Sequence, residues 1–190
     1  MPTVPAPRFR HALVLLLTFA ALPVTVEGQS SDKQAAQQRA TALYAQAVRF
    51  QKDAAAAFQR EMDREKADLC RAAVSTREIE ECLGKENEAA TANYQAYFEA
   101  LHSLLALTLG DGGNPAPGPT GVPLTAPELV KDLDTAEAAW RKYREAQCRA
   151  AFDLYKGGTA AAPQESFCEL MLVRNHMRNL ERIYSVRLHN

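Results

Sequence analysis

Apolar positions recur at steps of three and four along most of this chain, the spacing that draws one stripe down an α-helix. The clearest case is Leu129 to Tyr155 (LVKDLDTAEAAWRKYREAQCRAAFDLY), where Leu129, Leu133, Ala136, Trp140, Tyr143 and Gln147/Cys148 share a face. A helix of that span, rising about 1.5 Å per residue, is ~40 Å long. It holds the only tryptophan, so it is expected to be the central helix on which the others pack.

Upstream, Asp32 is placed to cap a helix over residues 33–69. Its stripe of Ala36, Ala40, Leu43, Ala47, Phe50 and Ala54 continues with a phase shift through Phe58, Met62 and Leu69. Alanine allows close approach between helices but buries little area. Ser75 and Glu78 match a capping box. They open a second helix to about Leu109, with Ile79, Leu83, Ala90, Tyr94, Tyr97, Leu101 and Leu104/Leu105 on one face.

Gly110 to Pro123 (GDGGNPAPGPTGVP) holds five glycines and four prolines and cannot be helical, so a connector is expected over residues 110–124. Thr125 and Glu128 form a second capping box, with Pro127 in the first turn, where its missing N–H does no harm. Gly157-Gly158 is a helix stop, and Pro163 starts a last helix whose stripe is Phe167, Leu170, Val173, Met177, Leu180, Tyr184 and Leu188. No stretch alternates as a strand. The fold class is all-α: a disulfide-stapled bundle of about three core helices plus a long Ala-rich N-terminal helix.

The first 28 residues are read as a secretory signal peptide rather than as fold. Arg8, Arg10 and His11 give a basic start, Ala12 to Val26 is apolar but short for a membrane span, and Val26 and Gly28 suit a cleavage site. About 160 residues remain, one domain with a modest core. Without Arg8, Arg10 and Glu27 the chain carries 20 basic and 22 acidic residues, net −2. That balance argues against nucleic acid, and no membrane span is expected after cleavage. A periplasmic or secreted location follows.

Cys70, Cys82, Cys148 and Cys168 all lie beyond the leader, an even count that reads as two disulfides in an exported chain. The short Cys-x2–4-Cys spacing of zinc sites is absent, so no metal is expected. If the last two helices form an antiparallel hairpin, residues level with each other are symmetric about residue 158, midway between Cys148 and Cys168. Cys70 and Cys82 flank the helix start at Ser75. The preferred pairing is Cys70–Cys82 with Cys148–Cys168. All four gather near one end of the bundle, so crossed pairings stay open.

The segment AEAAWRKYREAQC (Ala136–Cys148), then Tyr155-Lys156-Gly157-Gly158-Thr159 and Cys168-Glu169-Leu170 onward to Arg182, resembles the second half of the LprI-type lysozyme inhibitor domain. Cys70 to Cys82, with Asn87, Ala92 and Tyr94 behind, resembles its first half. The LprI-like helical domain is therefore placed at 70–188. The resemblance implies a small, exported, helical, disulfide-bearing protein whose partner is a protein, a basic lysozyme if the family name applies. It brings no inhibitory motif.

Catalysis has little support. There is no Gly-x-Ser-x-Gly, no His-Glu-x-x-His and no phosphate-cradling glycine loop, so an enzyme and a cofactor are not expected. Arg144, four residues after Trp140, reads as a partner of a buried carboxylate or a helix C-terminal carbonyl rather than as an anion anchor. Glu137–Arg141 and Arg141–Glu145 read as surface i,i+4 pairs. The acidic run Glu78, Glu80, Glu81, Glu86 and Glu88 is the candidate binding patch, steering toward a basic protein. The function expected is an exported binding protein acting by occlusion. The alternative is a structural or envelope-stress protein that assembles as an oligomer, in coiled-coil fashion, through residues 33–69.

Overall fold

The computed structural model describes residues 27–107 and 126–189. Almost all of the leader, the 110–124 connector and Thr125 of the second capping box lie outside those residues. The described chain is helical, with no strand: α1 (Glu27–Ala67), a 3-10 helix (Leu69–Ala72), α2 (Thr76–Ala106), α3 (Ala126–Leu154), α4 (Ala161–Ile183) and short α5 (Ser185–His189).

The chain divides into two compact units, residues 1–36 and 37–190, and the described part of the first is helical throughout. Because α1 already runs at Glu27, Asp32 lies inside the helix and does not cap it. Nothing from Gln29 to Ala36 stops a helix from growing upstream, the segment having no proline or glycine.

Within the second unit, the core is built by α2 and α4. Leu83, Ala90, Tyr94, Tyr97, Leu101 and Leu104 of α2 meet Leu170, Val173, Met177 and Leu180 of α4, and α5 adds Leu188. α1 contributes Ala47, Ala54 and Ala57, small side chains that let its backbone come close. The tryptophan-bearing helix is not the centre: α3 buries only Ala126, Leu133, Glu137 and Cys148. Its stripe is interrupted by charge, so it packs as an outer layer, with Trp140 partly buried against the core.

Local chemistry explains the boundaries. Both halves of the capping box at the start of α2 are formed: Glu78 N–H donates to Ser75 Oγ at 3.2 Å, and Ser75 N–H donates to Glu78 Oε2 at 2.9 Å. Gly157, at φ 89°, takes the left-handed conformation that turns the chain after α3. Disulfides join Cys70 to Cys82, with Cα atoms 5.6 Å apart, and Cys148 to Cys168, at 5.4 Å. The first ties the 3-10 helix to α2 and the second ties the end of α3 to the start of α4.

Candidate binding surface

Two buried carboxylate clusters stiffen the bundle beneath its surface. In the first, Glu61 of α1 is fully buried and accepts from Arg174 Nε at 2.7 Å and from Asn93 Nδ2 at 2.9 Å. Glu86 of α2 is also buried and accepts from Arg64 Nη2 and, at 3.2 Å, from Arg174 Nη2. Two carboxylates and two guanidiniums thus lock α1, α2 and α4 together. Outside them, Arg60 Nε donates to Asn93 Oδ1 at 3.1 Å, and Arg178 pairs with Glu65.

The second cluster centres on Glu137 of α3. Arg141 Nε donates to its Oε1 at 2.7 Å, while Tyr94 Oη–H and His176 Nε2, the latter at 3.0 Å, meet its Oε2. Burial by itself would push this carboxyl up, but the bonds from His176, Tyr94 and Arg141 outweigh it and hold Glu137 down at about 2. Desolvation first, and then the bond to Glu137, push the Tyr94 hydroxyl above the ordinary phenol range.

Trp140 lies flat on His176, ring centroids 3.9 Å apart and planes 7° from parallel, and the Arg144 guanidinium sits 5.1 Å from the Trp140 ring centroid. Glu137–Arg141 is no surface pair, because the carboxylate is buried. Arg144 stacks on Trp140, the cation–π placement that suits a planar guanidinium, rather than partnering a carboxylate.

Exposed apolar side chains at the disulfide end include Leu69, Val74 and Phe167. Between α1 and α2 the chain passes through Asp68, whose φ of 46° is left-handed, then the 3-10 helix, then extended Ala73. Leu69 is 57% exposed and Val74 89%. A groove of about 280 Å³ runs beside this loop, with Leu69, Ile79, Leu83 and Phe167 among its lining. Phe167, placed by its spacing on the apolar stripe of α4, is 54% exposed, while its neighbour Cys168 is buried by the disulfide to α3.

The five acidic residues singled out from the sequence do not act alike. Glu80 and Glu88 are exposed, Glu81 is exposed and receives Arg77 Nε at 2.8 Å, and Glu78 is tied to the backbone as the capping residue. Hydrogen bonds from the Ser75 and Val74 backbones hold the Glu78 carboxyl below the usual range. Glu86 faces inward, sharing by its i,i+3 relation the face of buried Leu83. Arg64, Arg174, Glu61 and His176 were not singled out by the sequence; only their places among apolar neighbours on α1 and α4 hinted at burial. Among the described residues no group of His, Cys, Asp or Glu is arranged to hold a metal, and no helix is long and apolar enough to cross a membrane.

A helical domain with two disulfides, internally braced and free of strands among its described residues, is of the class of small extracytoplasmic domains. The chain belongs to the LprI lysozyme inhibitor family: the model described as lysozyme inhibitor LprI matches residues 68–180, more than half of the sequence. The match begins at left-handed Asp68 and takes in both disulfides, α2 and α3; all of α1 lies before it. No curated protein and no solved structure matches the chain.

Proposed function

We propose that this chain is an exported inhibitor of a lysozyme, acting by occlusion and without chemistry of its own. The observation that carries the reading is the family match across 68–180, the span that holds both disulfides and the loop beside the groove. The partner is a protein, and a basic one suits the exposed acids Glu80, Glu81 and Glu88 near the start of α2. Glu86, spent on Arg64 and Arg174, is left out of that patch.

The test is lysozyme-driven lysis of bacterial cell walls, titrated with the oxidised protein and with a reduced, alkylated control. Dose-dependent inhibition that vanishes on reduction supports the reading. No inhibition of a c-type or a g-type lysozyme at tens of micromolar removes it.

A second reading, assembly through α1, draws on Tyr44, which is 67% exposed on a helix that lies outside the family match. Light scattering decides it. A stable oligomer that dissociates in Tyr44→Ser supports assembly, and a monomer contradicts it. Deleting α1 is no substitute for this test, because the helix supplies buried Glu61.

A further inference from the structure

We infer that the loop from Asp68 to Ser75 is the element that enters the target, with Arg71 set against the paired carboxylates of a glycoside hydrolase cleft. The inference rests on the inhibitor reading above and names its contact surface. A lysozyme is a glycoside hydrolase, and such enzymes flank the scissile bond with two Asp or Glu side chains. A stiff, exposed element carrying a cation complements such a pair, because opposite charge and preorganisation both favour binding.

This loop has each of those properties. Asp68, Leu69, Arg71, Ala72, Val74 and Ser75 are all exposed. Arg71 is the cation within the loop itself, and its side chain bonds to no other described residue; near it, Arg64 and Arg174 are held by Glu86 and Arg77 by Glu81, while exposed Lys66 lies on α1 before the loop and exposed Lys85 on α2 after it. Arg71 lines the same groove as Leu69 and Phe167.

Stiffness comes from both sides. Asp68 N–H donates to Arg64 O at 3.3 Å and to Glu65 O at 3.2 Å, so the loop leaves α1 in a fixed direction. Arg71 N–H donates to Asp68 O at 3.0 Å and Ala73 N–H to Cys70 O at 3.1 Å. Val74 N–H and Ser75 N–H both donate to Glu78 Oε2, at 3.1 and 2.9 Å, and the Cys70–Cys82 disulfide pins the middle to α2. An element held this way loses little freedom on binding, which raises affinity without adding a contact.

Charge gives the occupant. A single cation at the loop, flanked by Glu80 and Glu81 in the first two turns of α2, complements a cleft that is acidic at its centre and lies in a basic protein.

The test is hydrolysis of a soluble chito-oligosaccharide by a c-type lysozyme, inhibited by the full oxidised chain and by single variants. Arg71→Ala is expected to weaken inhibition about 30-fold, the loss typical of a central interface arginine, with Arg71→Lys in between. Arg77→Ala, exposed but outside the loop, is expected to stay within about twofold, as for a surface pair. Arg71 is exposed, so its variants should keep the helical spectrum and melting temperature of the parent. Wild-type inhibition that Arg71→Ala matches overturns the loop assignment while leaving the inhibitor reading intact. Equal losses in Arg71→Ala and Arg77→Ala also overturn it. No inhibition by the wild type overturns both.

Discussion

Arg174 shows how much a single side chain carries in this protein. Its guanidinium reaches Glu61 on one helix and Glu86 on another, and neither carboxylate is open to water. Removing one partner of a buried pair leaves an uncompensated charge, a loss of about 3–5 kcal/mol. Arg174→Ala should therefore shift the denaturant midpoint by that amount, and a loss under about 1 kcal/mol, the range of an exposed pair, would contradict the assigned burial. Glu137 makes a pH prediction. Its carboxyl is lowered from an ordinary 4.5 to about 2 in the fold, so its stabilisation is complete above about 4.5 and is lost as pH falls toward 2. Glu137→Gln should flatten the stability-against-pH curve in that window by as much as one proton. An unchanged slope would show that Tyr94, His176 and Arg141 do not favour the ionised form.

At the scale of elements, the disulfides and caps set how the helices meet. The Cys148–Cys168 bridge closes a separation of 20 residues, and on the chain-entropy model a loop of that size contributes ~3 kcal/mol. Cys148→Ala with Cys168→Ala should lower the melting temperature accordingly while leaving a helical spectrum. Ser75→Ala should cost ~1 kcal/mol by removing the cap of α2. A loss of nothing measurable would mean that Glu78 alone holds that turn. Much at this scale could be read from the chain itself. The three-and-four spacing gave the helices, Ser75 with Glu78 gave the α2 start, and symmetry about residue 158 gave the Cys148–Cys168 pair. What could not be read depends on neighbours in space. Trp140 looked central because it is large and unique, yet its stacking partner, His176, is 36 positions away on α4. Glu61, Glu86 and Glu137 look like surface residues until another helix brings an arginine or a histidine to them. The disulfide fixes Cys168 inward, and so Phe167, its neighbour, turns out.

At the scale of the molecule, a braced core and a pinned, exposed loop divide the work. The buried carboxylates and both disulfides hold α2, α3 and α4 as one scaffold, and the scaffold presents residues 68–75 in one conformation. On the proposed inhibitor reading, affinity would draw on this preorganisation as well as on buried area. If the chain acts by occlusion, binding to the target and occupation of its cleft exclude each other. Calorimetric titration of the oxidised chain into a c-type lysozyme, alone and with a chito-oligosaccharide saturating the cleft, decides this. The prediction is one-to-one binding that the oligosaccharide abolishes or weakens in proportion to its own occupancy. Binding of equal strength with the cleft filled, or no binding at all, would contradict occlusion.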